Sequence, residues 1–196
     1  MFVNQDSIQM NNTKVKAIME WPMPMMVRSF LGLTNFYHHF IKDYATITKL
    51  PMDLTQKDKV FTWGEAEAGA FAQLKHCFTT VPILAYPNND CQFRLETDAS
   101  DFATSTVLSI LKDDKWHPVA FSSHAMSLEE QNYLVADKEM LSVIHSLEQW
   151  HHYLEGAHHE FKIWNDHANL QWFMKRQDLN QHQVCWAQYL SHFAFK

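Results

Sequence analysis

The sequence predicts an α/β fold, in which a small helical subdomain precedes a mixed sheet with flanking helices. Three observations predict it. Between Val15 and Ile41 apolar residues recur at steps of three and four, the period of amphipathic helices. At Gln92–Thr97 the pattern becomes polar–apolar alternation, the period of a half-buried strand. From there the order reads as three strands in a meander, a long helix, a strand and more helices.

Residues 1–12 are polar and weakly patterned and read as a frayed lead-in. Val15, Ile18 and Met19 mark one helix. Phe30, Leu31, Leu33, Phe36, Tyr37, Phe40 and Ile41 mark another, with Pro22 and Pro24 breaking the run between them. A short third helix fits residues 47–55. A fourth fits Gly64 to Thr79, with Phe71, Leu74, Cys77 and Phe78 inward. Val81–Leu84 and Pro87–Asp90 close this half. Strands fit Gln92–Thr97, Ser105–Leu111 and His117–Ser122, and Asp113-Asp114-Lys115 makes a hairpin turn. Ser127 with Glu130 reads as a capping box. Behind it Leu134, Leu141, Ile144, Leu147 and Leu154 form one stripe that Gly156 stops. Phe161–Trp164 is a fourth strand, and helices follow at about 168–175 and 181–193.

Composition bounds the function. With 46% hydrophobic residues, including 14 Phe and 7 Trp, the chain has ample apolar material for a core. Only four glycines are present, and neither GxGxxG nor GxxxxGK[ST] occurs, so a glycine-rich phosphate loop is excluded. No GxSxG supports a serine hydrolase. The net charge of −6 opposes strong autonomous gripping of phosphates. It leaves room for an enzyme that holds its substrate through divalent metal, or beside a basic domain elsewhere. Cys77, Cys91 and Cys185 are widely spaced and read as buried free thiols. No signal peptide and no membrane-length apolar run are visible, so an intracellular location, cytoplasmic or nuclear, is expected.

Three acids occupy notable places. Asp98 ends the first strand of the meander, Glu139 lies in the capped helix, and Asp166 ends the fourth strand. Strand ends in an α/β sheet favour active sites, and a helix packed on the sheet adds a further group. Carboxylates gathered there repel unless hard divalent cations relieve them, and Mg²⁺ or Mn²⁺ suits oxygen ligands. Two such ions activate water and stabilise the leaving oxygen of a phosphodiester. Spacing alone favours the plainer reading, with Asp98 capping a turn, Glu139 a solvated helix residue and Asp166 capping the next helix.

At these residues the sequence resembles the Pol polyproteins of gypsy-type LTR retrotransposons, from about Val15 to Phe195. The matching blocks include Val15–Pro24 (VKAIMEWPMP), Ser29–Ile41 (SFLGLTNFYHHFI), Phe61–Trp63 (FTW), Ala70–Lys75 (AFAQLK) and Val81–Leu84 (VPIL). They continue with Leu95–Asp101 (LETDASD), His117–Ser122 (HPVAFS), Asn132–Leu141 (NYLVADKEML), Trp150–Gly156 (WHHYLEG), Asp166–Leu170 (DHANL) and Trp186–Leu190 (WAQYL). The resemblance implies a helical reverse-transcriptase thumb and connection-like region at 1–86 and an RNase H-like domain at 87–196. It implies that Asp98, Glu139 and Asp166 are catalytic, metal-binding acids using Mg²⁺ or Mn²⁺, and that an RNA–DNA hybrid is the substrate.

Departures from the family pattern limit what carries over. No fingers, palm or YxDD-like motif is present, so polymerisation by this chain alone is not expected. The family's fourth acid, in an ADALSR-like block, is not found, and the final helix is expected to be missing. That predicts a weakened second metal site and an exposed sheet surface or edge open to self-association. Thr104-Ser105-Thr106 lacks the usual central glycine, and the loop at Met23-Pro24-Met25-Met26 is short. The expectation is therefore a metal-dependent RNase H, with a catalytically inactive nucleic-acid or protein binding remnant as the alternative.

Other residues admit two readings. The pairs His38-His39, His151-His152 and His158-His159 chelate poorly when adjacent on a helix and read as surface or groove residues. His167 could contact a substrate phosphate or carry protons, or merely cap a helix. Asn132 and Tyr133 could touch the hybrid's minor groove, where 2′-hydroxyls are read, and Tyr133 serves equally well as core. Trp150, Tyr153, Trp164, Trp172 and Trp186 are core by default, with base stacking as the lesser reading.

Overall fold

The computed structural model describes residues 2–3, 7–22, 27–57, 62–80, 82–165 and 179–196. Helices α1 (Asn12–Met19), α2 (Val27–Asn35), α3 (Tyr44–Asp53) and α4 (Glu65–Thr79) build the first half. Their apolar stripes meet in one cluster in which Ile18, Phe30, Phe40, Leu74 and Phe78 are almost fully buried. Phe71 and Phe30 lie 4.5 Å apart between ring centroids. The described residues of the lead-in form strands and a helix start in place of the frayed segment expected. Strands β1 (Phe2–Val3) and β2 (Ser7–Gln9) pair antiparallel, and β2 pairs with β3 (Leu84–Ala85). The weak alternation of two- and three-residue strands is too short to read from sequence. The third helix begins earlier than expected, at Tyr44, and carries Pro51 inside it.

The second half is a four-stranded mixed sheet with strand order β6–β5–β4–β7. Here β4 is Phe93–Ala99, β5 Ala103–Lys112, β6 Lys115–Ala125 and β7 Lys162–Trp164. The first three strands form an antiparallel meander, and β7 lies parallel to β4. A parallel neighbour needs a crossover, supplied by helix α5 (Val135–Leu154). Asp113 and Asp114 both take positive φ, 51° and 58°, which matches the twist of a two-residue hairpin.

The capping box forms: the Ser127 N–H donates to Glu130 Oε2 at 2.7 Å, and the Glu130 N–H to Ser127 Oγ at 3.3 Å. It caps a single 3₁₀ turn at Glu130–Asn132, however, and α5 starts only at Val135. Leu134 is consequently 75% exposed and not part of the stripe. Of the rest of the stripe, Ile144, Leu147 and Leu154 pack as expected, joined by Met140 and Val143, against Phe93, Leu95, Leu108 and Ile163 of the sheet, while Leu141 is buried outside this cluster. Gly156, at φ 72°, follows the helix end in the left-handed conformation that glycine tolerates best. Helix α6 (Gln181–Leu190) adds Leu190 to this core, and Ala194–Lys196 run alongside Phe161–Ile163 through backbone hydrogen bonds. The expected helix at 168–175 lies outside the described residues.

The two halves touch across the sheet face opposite α5. The Ser105 hydroxyl donates to the Asp43 carboxylate. The Ala45 N–H donates to Ser123 Oγ at 3.1 Å, and Phe121 packs against the helical cluster. Cys77 and Cys91 are half-buried, while Cys185 is exposed on α6, which corrects the expectation of three buried thiols.

Candidate active site at the end of strand β4

Strand alternation decides where the acids go. Phe93 and Leu95 enter the core under α5, so Arg94, Glu96 and Asp98 turn to the other face. Asp98 is exposed. It lines a pocket of about 500 Å³ together with Glu96, Ser105, Trp164, Asn165 and Lys42, the last contributed by the helical half. Glu96 is engaged by the Arg94 guanidinium, which is stacked 4.4 Å from the ring centres of both Trp116 and Trp164. Trp164 is 55% exposed, which departs from the core role expected by default. Trp150 is buried as expected, Tyr153 and Trp186 are half-buried, and Trp172 lies outside the described residues.

Glu139 approaches from α5 and is only 5% exposed. A carboxylate this deep needs donors. One is Asn165, which immediately follows β7. Its Nδ2 donates to Glu139 Oε2 at 2.8 Å and lies 3.1 Å from Thr97 Oγ1. One turn along α5, Ser142 Oγ donates to the main-chain oxygen of Asp98 at 3.0 Å. Lys138 Nζ reaches Asp101 at 3.2 Å. Three contacts thus lash the first half of α5 to the end of β4.

The strand end that carries Asp98 and the helical turn that carries Glu139 are therefore adjacent, and Asn165 bridges them. It is the main chain of Asp98, not its carboxylate, that meets α5. Asp166 and His167 lie outside the described residues. Among the described residues no group of three His, Cys, Asp or Glu side chains is gathered for a metal ion. The two acids that are described offer hard oxygen donors. Glu139 Oε2 accepts the Asn165 N–H, so one oxygen of this carboxylate is held in a fixed direction.

Asn132 is exposed, with Nδ2 donating to the Leu128 carbonyl at 2.8 Å. Tyr133 is half-buried and stacks on His182 with 5.2 Å between centroids and 2° between planes. Beneath them, Gln183 Nε2 donates to the buried Asp137 at 2.7 Å and fixes α6 to the start of α5. Two features escape sequence reasoning. Asn165 carries no charge and no motif marks it, although its place beside Asp166 at a strand end is a usable signal. Lys42 belongs to the other half of the chain, and only tertiary packing brings it to the pocket.

A four-stranded mixed sheet with a crossover helix bearing a buried glutamate defines the class. The chain belongs to the family described as the RNase H-like domain found in reverse transcriptase, which matches residues 88–193. The resemblance to retrotransposon polyproteins holds beyond that domain. The Transposon Tf2-3 and Tf2-4 polyproteins of Schizosaccharomyces pombe are each 35% identical over 188 residues, covering 93% of this chain. The chain spans 14% of the length of each polyprotein. In fold it is similar to a foamy viral protease-reverse transcriptase in complex with dsDNA, with a TM-score of 0.77 at 16% identity over 96% of this chain and 41% of that one. The same viral protein in complex with RNA/DNA hybrid matches with a TM-score of 0.75 at 16% identity over 95% of this chain and 26% of that one.

Proposed function

We propose that this chain is the RNase H portion of a retroelement polyprotein and cleaves the RNA strand of RNA–DNA hybrids. The observation that carries the proposal is the triple junction of β4, α5 and β7. Asn165 lines the pocket with Asp98 while donating to Glu139 at 2.8 Å, and the next residue in the chain is Asp166. Asp98, Glu139 and Asp166 would hold Mg²⁺ or Mn²⁺. Such ions, when bound, activate water and stabilise charge on a scissile phosphate. The chain's own residues orient the substrate. Lys42, which lines the same pocket as Asp98, would offer its ammonium to a substrate phosphate. The exposed surface of Trp164 offers an apolar plane at the rim.

The test is cleavage of a hybrid labelled on its RNA strand, with Mg²⁺, with Mn²⁺ and with chelator. Cutting is expected only with metal and is abolished by Asp98→Asn. Undiminished cutting by that variant would refute the role of Asp98.

A second reading rests on a specific observation. It is the main-chain oxygen of Asp98 that meets α5, through Ser142 Oγ at 3.0 Å, which suits a domain that retains the fold and binds nucleic acid or protein without turnover. Metal-independent hybrid binding without cleavage would favour it.

A further inference from the structure

We infer that Asn165 is a positioning residue that clamps Glu139 to the end of β4 and so sets the metal affinity of the site. This rests on the proposed nuclease reading and adds a residue to it. Three elements meet at its amide. Asn165 follows β7, Thr97 lies one residue before Asp98 on β4, and Glu139 projects from the second turn of α5. The amide group lies 2.8 Å from Glu139 Oε2, 3.1 Å from Thr97 Oγ1 and 3.4 Å from the Thr97 carbonyl oxygen.

The chemistry follows from burial. Glu139 is 5% exposed, so its carboxylate is fixed by what surrounds it and not by water. An N–H donor that is itself anchored on β4 holds one oxygen of that carboxylate in a defined direction. Thr97 is 5% exposed and cannot give way without disturbing the sheet. Asn165 is therefore braced from behind and is not a free side chain that follows Glu139 wherever it moves. The amide is also the right donor for a site that takes up cations. It supplies a partial positive charge without a formal one, so it steadies the carboxylate without competing at full strength with an arriving ion. A lysine here would neutralise the glutamate. An aspartate would add a third negative charge at the junction and remove the donor.

Residues that orient a ligating side chain typically change metal affinity by about 10–100-fold when removed. Asn165→Ala is expected to weaken Mn²⁺ binding, measured by titration calorimetry on the whole chain, within that range. Asn165→Ser, which keeps a donor, is expected to recover part of the loss, and Asn165→Asp is expected to keep the shape and recover none. A purely structural role would lower stability in all three without sorting their Mn²⁺ affinities by donor. A metal-free measurement separates this inference from the nuclease reading. In chelator, Asn165→Ala is expected to raise the unfolding equilibrium constant roughly tenfold in the wild-type background, and less than about threefold in the Glu139→Ala background. Equal effects in the two backgrounds, or Mn²⁺ affinity unchanged by Asn165→Ala, would overturn the clamp. If the coupling is present but the wild type neither binds Mn²⁺ nor cuts, the clamp stands as a structural contact. In that case its role in setting metal affinity falls together with the nuclease reading.

Discussion

His145 lies half-buried on α5, with its Nδ1 3.2 Å from Thr104 Oγ1 and its ring centre 4.3 Å from that of His124. Burial, and then the neighbouring His124, push its pKa down from the ordinary 6.5 to about 4, against a smaller opposing pull from Glu130. The sign follows directly. Between pH 6.5 and about 4 the unfolded chain takes up a proton that the folded one refuses, so stability falls as pH falls through that window. Denaturant midpoints at pH 7.5 and 4.5 should show this fall in the wild type and a smaller one in His145→Gln. An equal fall in both would place the acid sensitivity elsewhere. Asp98 behaves differently. It is exposed, so Asp98→Asn should leave stability within about 0.5 kcal/mol while lowering hybrid cleavage roughly a hundredfold or more. Loss of activity with a collapsed melting temperature would instead mark a folding defect.

The β5–β6 hairpin turns at two residues in the left-handed region, where aspartate is tolerated and glycine is preferred. Asp114→Gly is therefore expected to stabilise the protein by roughly 0.5–1 kcal/mol, read as a rise in denaturant midpoint. A decrease would mean that the Asp114 side chain contributes more than its backbone costs. This turn was legible from sequence because Asp-Asp-Lys sits between two alternating runs. The long helix α5 was legible for the same reason, since its stripe repeats over several turns. Its start was not. Ser127 and Glu130 form the box that sequence promises, yet the chain leaves it after one 3₁₀ turn and restarts at Val135. A capping box satisfies its own donors locally and says nothing about how far the helix behind it extends. The strand at Ser7–Gln9 was illegible because its partner Leu84–Ala85 is far away in the chain, and Phe2–Val3 pairs in turn with that strand.

At the scale of the whole molecule, the helical half is seated on the sheet, not merely tethered to it. Asp43 takes the hydroxyl of Ser105, Lys49 lies 2.8 Å over the centre of the Phe102 ring, and Lys42 reaches the pocket that holds Asp98. The two halves should therefore unfold together. Asp43→Ala is expected to lower stability by roughly 1–3 kcal/mol while preserving a single transition by fluorescence and circular dichroism. Two separated transitions in the wild type would show that the halves are independent. The site divides in the same way between what sequence shows and what packing adds. Strand-end position marks Asp98, and the helix and the family's DKE block mark Glu139, whereas Asn165 and Lys42 become visible only once β7 and the helical half are in place.

The claim beneath all of this is that the end of β4 and the second turn of α5 present their acids to common divalent ions. Titration of isotopically labelled protein with substoichiometric Mn²⁺ tests it most directly, because the paramagnetic ion broadens only the amide signals near it. The predicted result is early and joint broadening at residues 97–99, 138–140 and 165, lost in Asp98→Asn. Broadening centred elsewhere, for example on the histidine pairs, or none near these residues, would contradict it.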